Sequence, residues 1–366
     1  MQTSTQTDRS PTFAPGALAA AVLEWYQHHA RALPWRSAPG TPPPPAYRVW
    51  LSEVMLQQTT VAAVQPYFAR FVERWPSVEA LAAADPAEIM AAWAGLGYYS
   101  RARNLIACAQ AVAQAGGFPA TEARLRALPG LGAYTAAAVA AIAFDQPAVV
   151  VDANVERIVA RLFAITAPLP GARGEIRAAT ATITPPSRSG DFAQAMMDLG
   201  STVCTARNPR CLLCPVKPWC QGAALGLADQ LPAKAAKPPK PQRIGHAWWI
   251  TRDAAVWLVQ RPASGMLGGM RGLPDDGWTA RADGHAQPPF AGHWRKGGVV
   301  RHSFTHFDLE LHLQLCEAGQ IGHDVPTALT GGDFWPIATL AAAGLPTLFA
   351  KAARLALGGT DQRGIR

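Results

Sequence analysis

Long apolar runs are absent from this 366-residue chain. None reaches the roughly 18 residues of a membrane-spanning helix, so no membrane partner is expected. The first dozen residues, MQTSTQTDRSPT, are polar and lack the apolar core of a signal peptide. Cysteines number only six, and Cys108 and Cys316 stand alone in apolar stretches. That usage excludes a disulfide scaffold and predicts a reducing, cytoplasmic setting. Acidic residues are scarce, 25 against 33 Lys and Arg, which leaves a net charge of +8 and favours a polyanionic partner. No internal repeat is present.

A hydrophobic fraction of 49% and this length predict two domains with sizeable cores. Residues 14–230 read as helix broken by short Pro/Gly turns, with apolar residues at three- and four-residue intervals. Residues 231–243, LPAKAAKPPKPQR, read as a semi-extended linker. Residues 244–358 carry short alternating or branched segments between Gly, Pro and Asp, the texture of a small α+β domain. Residues 1–13 and 359–366 are expected to be tails.

The four remaining cysteines, Cys204, Cys211, Cys214 and Cys220, form a C-x6-C-x2-C-x5-C loop. Thiolates so close in sequence suit an iron–sulfur cluster or a tetrahedral metal. Zinc sites more often use paired C-x2-C knuckles, and this loop has one. Arg207 and Arg210 make the same loop cationic, which suits contact with nucleic-acid phosphates.

Three further segments carry chemistry. In LPGLGAYTAAAVAAIAF a helix is expected to end at Pro129, with Gly130 and Gly132 turning the chain into a long apolar helix. Backbone N–H groups of such a turn can hold a DNA phosphate, although a plain helical hairpin needs a turn too. In VDANVERI, Asp152 precedes an apolar helical stripe, so it is a helix cap, a fixed anion for a developing positive charge, or both. Asn154 stands two residues on and can steady the turn or reach the site. Glu53, in YRVWLSEVMLQQTT, has Val49, Trp50 and Leu56 at helical spacing. Such a carboxyl is either a partly exposed helix residue or an acid whose pKa burial raises. Two carboxylates in opposed environments are the pattern that separates a proton donor from a stabilising anion.

These residues resemble a family. LPWR (33–36), WLSEVMLQQT (50–59), GLGYYSRARNL (95–105), the hairpin, VDANVERI and the cysteine loop are similar, in order, to the MutY-type adenine DNA glycosylases of the helix-hairpin-helix superfamily. GMLGGMRGLP (265–274) and VRHSFTHFDL (300–309) resemble that family's Nudix-related 8-oxoguanine-recognition domain, without a Glu-rich Nudix helix after Pro274. The fold implied is a mainly α, two-lobed glycosylase domain with an iron–sulfur loop, joined by a linker to a smaller α+β Nudix-like domain.

The activity implied is removal of adenine opposite 8-oxoguanine or guanine in duplex DNA, during base excision repair. By the resemblance, Glu53 protonates the adenine and Asp152 stabilises the oxocarbenium-like sugar, with Asn154 assisting. Arg31, Leu33, Trp35 and Arg36 line the adenine pocket. Gln58 and one of Tyr98 or Tyr99 wedge beside the opposite base, and Phe304, Thr305 and His306 read 8-oxoguanine. One [4Fe–4S] cluster is implied, as are a monomer and a linker that contacts other repair or replication proteins. Tyr134 stands where the endonuclease III type has a lysine, and a phenol forms no Schiff base, so lyase activity is not expected. Ala153, Asp198, Arg271 and Thr305 depart from the residues common in the family. Two rival readings remain: a thymine-damage glycosylase with lyase activity, and a non-catalytic DNA-lesion sensor on the same scaffold.

Overall fold

The computed structural model describes residues 15–236, 239–262, 265–317, 329 and 331–358. Both expected tails lie outside the described residues. Two compact units divide at residues 236 and 237. No described helix is long and apolar enough to cross a membrane.

The first unit is helical and has two hydrophobic cores. Around Trp50, Phe68, Trp93, Leu105 and Val139 pack α2 (Ala46–Leu56), α3 (Val61–Arg74), α4 (Val78–Ala83), α5 (Pro86–Trp93), α6 (Ser100–Gln114), α7 (Glu122–Arg126) and α8 (Ala133–Phe144). Around Leu18, Val22, Val159 and Leu199 pack α1 (Pro15–His29), α9 (Ala153–Leu162), α10 (Arg173–Ile183) and α11 (Ser189–Thr202). The chain therefore begins in the second lobe, builds the first, and returns. α8 is buried from Thr135 through Ile142 because it is apolar on every face, as a central helix must be. α11 serves both cores, giving Ala193 and Met197 to one and Phe192, Met196 and Leu199 to the other. Gly190 lets these helices touch, since a Cβ there would meet the Ala141 carbonyl oxygen at 2.6 Å.

Two details differ from the sequence reading. Residues 30–45 are irregular rather than helical, because Pro34 and the prolines at 42–45 remove donors and fix φ. α7 stops at Arg126 rather than at Pro129, as the residue before a proline avoids the helical region.

Residues 231–235 pack on the helical unit. Leu231 is buried, its carbonyl accepts from Arg161 Nε, and the Leu169 N–H donates to the Ala233 carbonyl.

In the second unit, strands β1 (Gln242–Arg252), β2 (Ala255–Gln260), β3 (Arg271–Gly272), β4 (Arg295–Ser303) and β5 (Asp308–Glu317) form a sheet ordered β3-β2-β1-β5-β4, and β6 (Gly332–Pro336) pairs with β2. Only the central β1–β5 pairing is parallel. Along β5, Leu309, Leu311 and Leu313 are buried at period two and meet the helix Thr347–Ala356. The described residues between β3 and β4 contain no helix.

Candidate active site

A cleft of about 890 Å³ opens in the helical unit and is lined by residues of both lobes. It gathers Glu53 from α2, Tyr134 from the first turn of α8, and Asp152 and Asn154 from the start of α9. The irregular segment before α2 supplies Arg31, Leu33, Trp35 and Arg36, and the turns supply Gln58, Gly130 and Gly132. Gly130 has a φ of +73°, and a Cβ there would lie 2.5 Å from that of Asn104, so the hairpin turn requires glycine.

The carboxylates occupy opposed settings. Glu53 is only 6% exposed. Burial, together with the Asp152 charge, pushes its carboxyl up to about 7, against the opposing pull of Tyr134 and Arg36. Burial also raises the Tyr134 phenol well above its usual range, so it remains a neutral donor beside Glu53. Asp152 caps α9: its Oδ1 accepts from the N–H groups of Asn154 (2.9 Å) and Val155 (2.7 Å), and its Oδ2 from Asn154 Nδ2 (2.7 Å). Both sequence alternatives for Asp152 are thus compatible, since the cap faces the cleft.

Asp198, fully buried, accepts from Arg31 N (3.0 Å), Arg31 Nε (2.6 Å) and Arg36 Nη1 (2.7 Å). The aspartate therefore fixes two cationic walls of the cleft. Sequence reasoning missed Gln194, whose buried Oε1 has no protein partner and which also lines the cleft. A lone amide inside the apolar run FAQAMM was the available signal.

Outside the cleft, Tyr98 is 53% exposed while Tyr99 is half-buried at the start of α6. Gln58 and Tyr98 both have left-handed backbones, with φ of +56° and +49°. Such conformations are strained for side-chain-bearing residues, and both residues are exposed. The buried Arg101 ties these loops together, donating to the carbonyls of Val54, Met55, Leu96 and Gly97 and to Thr59 Oγ1. This arginine was also missed.

Cys204, Cys211, Cys214 and Cys220 line one hollow with Ile158, Leu162 and Val216. Four thiols facing one hollow are the donor set that an iron–sulfur cluster takes. Arg161, Arg210 and Lys217 line the same hollow and offset thiolate charge. Two arginines of α9 fasten the loop. Arg161 Nη1 donates to the Thr205 carbonyl (2.7 Å), and Arg157 Nε donates to that of Cys204 (2.7 Å). Arg157 Nη2 also donates to Asn154 Oδ1 (2.9 Å), so a bonded chain runs from Asp152 to the cysteine loop. Arg207 and Arg210 are exposed.

In the second unit the β4–β5 turn exposes Thr305 and His306. Phe304 is half-buried, stacked on Phe307 at 4.7 Å and beside Trp278 at 5.8 Å. Arg271 lies over the Trp335 ring at 4.5 Å, which accounts for a cation in an otherwise apolar motif.

Fold and site together define the class: a helix-hairpin-helix DNA glycosylase with an iron–sulfur loop. Residues 51–180 match the HhH-GPD superfamily of base excision DNA repair proteins, residues 204–220 the iron–sulfur binding domain of endonuclease III, and residues 246–355 a NUDIX domain. The adenine DNA glycosylase of Homo sapiens is 34% identical across 87% of this chain and 70% of its own length. That of Mycolicibacterium smegmatis is 44% identical across 53% of this chain and 66% of its own. Among solved structures, a thermostable thymine-DNA glycosylase aligns with a TM-score of 0.51 and 26% identity, over 58% of this chain and 97% of its own. The chain belongs to the adenine DNA glycosylase family, whose members are N-glycosyl hydrolases of base excision repair carrying a [4Fe–4S] cluster.

Proposed function

We propose that this enzyme excises adenine mispaired with 8-oxoguanine or guanine and has no dedicated lyase step. The carrying observation is the pair of cleft carboxyls, Glu53 buried and titrating at about 7, Asp152 held by N–H donors at a helix start. The adenine leaves the stack and enters the cleft, at a cost that Gln58 and Tyr98 offset by filling the gap. Protonated Glu53 gives its proton to the purine, and the glycosidic electron pair departs with the neutral base. Asp152 stabilises the positive sugar that remains, while Asn154 holds that carboxylate in register. Water then adds to the anomeric carbon and its proton returns to Glu53. Arg31, Leu33, Trp35 and Arg36 wall the base, with Gln194 beside them.

Cys204, Cys211, Cys214 and Cys220 hold the cluster, which supplies a rigid pin for the Arg207–Arg210 loop rather than bond cleavage. Gly130 and Gly132 present N–H groups to a phosphate. Thr305 and His306 read 8-oxoguanine, with Phe304 as their packed support.

The test is single-turnover incubation with a duplex carrying adenine opposite 8-oxoguanine, analysed before and after hot alkali. Strand scission only after alkali is expected. Scission without alkali would replace the hydrolytic reading with a lyase, and intact strands despite binding would favour a lesion sensor.

A further inference from the structure

The turn that carries Thr305 and His306 is held from a segment that looked featureless in sequence. Lys240 lies between two prolines, Pro239 and Pro241, just before β1. Its Nζ donates to the Phe304 carbonyl at 2.6 Å and to Ser303 Oγ at 2.9 Å, with Asp308 Oδ1 at 4.0 Å. One ammonium thus touches the last residue of β4, the first of β5 and the turn between them. The backbone fixes where that ammonium sits. β1 runs parallel to β5 with Gln242 opposite Asp308, and the Asp308 N–H donates to the Pro241 carbonyl at 3.0 Å. Flanking prolines restrict the lysine backbone to extended geometry, so the side chain starts from a fixed point.

The peptide after Phe304 is trans. With its carbonyl drawn to Lys240, the Thr305 N–H is directed the opposite way, away from the lysine. The turn is closed otherwise by Phe304 N–H to the Phe307 carbonyl at 2.9 Å and by the stacked Phe304 and Phe307 rings. Neither of those contacts orients the 304–305 peptide from its carbonyl side.

We propose that Lys240 is a positioning residue for base discrimination, setting the 304–305 peptide and hence the exposed face that Thr305 and His306 present to the base opposite adenine. This rests on the 8-oxoguanine reading given above. Lys240 is partly exposed and outside both cores of its unit, so its loss need not unfold the sheet.

The experiment compares Lys240→Met and Lys240→Arg with the parent full-length enzyme. Single-turnover adenine release is measured opposite 8-oxoguanine and opposite guanine, with melting temperature alongside. Lys240→Met is expected to lower the preference for 8-oxoguanine about tenfold, the scale of one lost charge-assisted hydrogen bond, with release opposite guanine and melting unchanged. Lys240→Arg, which can still donate to the carbonyl, keeps most of the preference. An unchanged preference in Lys240→Met, or an equal loss on both duplexes, overturns the proposal. Failure of the underlying reading is distinguishable, since the parent enzyme itself would then treat both duplexes alike.

Discussion

Glu53 joins function to a stability cost. Its folded-state carboxyl titrates at about 7, against 4.5 for the unperturbed group. The folded protein therefore holds this proton more tightly than the unfolded chain. Stability from the group is complete below about pH 4.5 and is lost as pH rises through about 7, a difference of roughly 3 kcal/mol. Adenine release should likewise decline above about pH 7, as the proton donor ionises. Glu53→Gln is expected to keep mispair binding and lower single-turnover release by about 10²–10⁴-fold. The same variant should be more stable than the parent by about 1–3 kcal/mol near pH 8 and nearly equal to it near pH 5, measured by denaturant titration. Normal release by the glutamine variant would remove Glu53 as the acid. The burial of Glu53 and the cap at Asp152 were legible from their neighbours. The reach of Asp198 to two arginines was not, because 162 and 167 residues separate the partners.

Among the elements, α9 has the widest influence on the site. Its first turn carries Asp152 and Asn154 toward the cleft, while Arg157 and Arg161, three and seven residues beyond Asn154, grip the cysteine loop. Arg161 is 2% exposed and donates to the carbonyls of Leu231, Thr205 and Ala206. Arg161→Leu leaves the buried Leu231 carbonyl without this donor and frees the less buried carbonyls of Thr205 and Ala206, so a loss of about 1–3 kcal/mol is expected. Iron per purified chain should fall as the loop loosens, and iron content equal to the parent would contradict the fastening role. On the same loop, Arg207 and Arg210 are exposed to solvent. Replacing both with alanine should reduce the slope of log affinity against log salt by about 1–2, in a titration on mispaired duplex. An unaltered slope would take this loop out of the DNA interface.

At the scale of the whole molecule, each unit has its own hydrophobic cores. A chain ending at residue 236 is therefore expected to remove adenine opposite guanine while losing its preference for 8-oxoguanine. Single-turnover rates on the two duplexes check this, and a retained preference would move base reading into the helical unit.

Sequence by itself determined what depends on local spacing. Helical periodicity, the glycine turn, the cap at Asp152, the cysteine spacing and the alternation of β5 are each set within a dozen residues, where backbone sterics and hydrogen bonding act. Tertiary structure decided what depends on distant segments meeting. It turned Tyr98 outward and Tyr99 inward, brought Gln194 and Asp198 of α11 to the residues around Glu53, and set Lys240 against the turn 64 residues on. Such contacts form only once burial of the cores has fixed which helix faces and strand registers adjoin, and no local pattern encodes that choice.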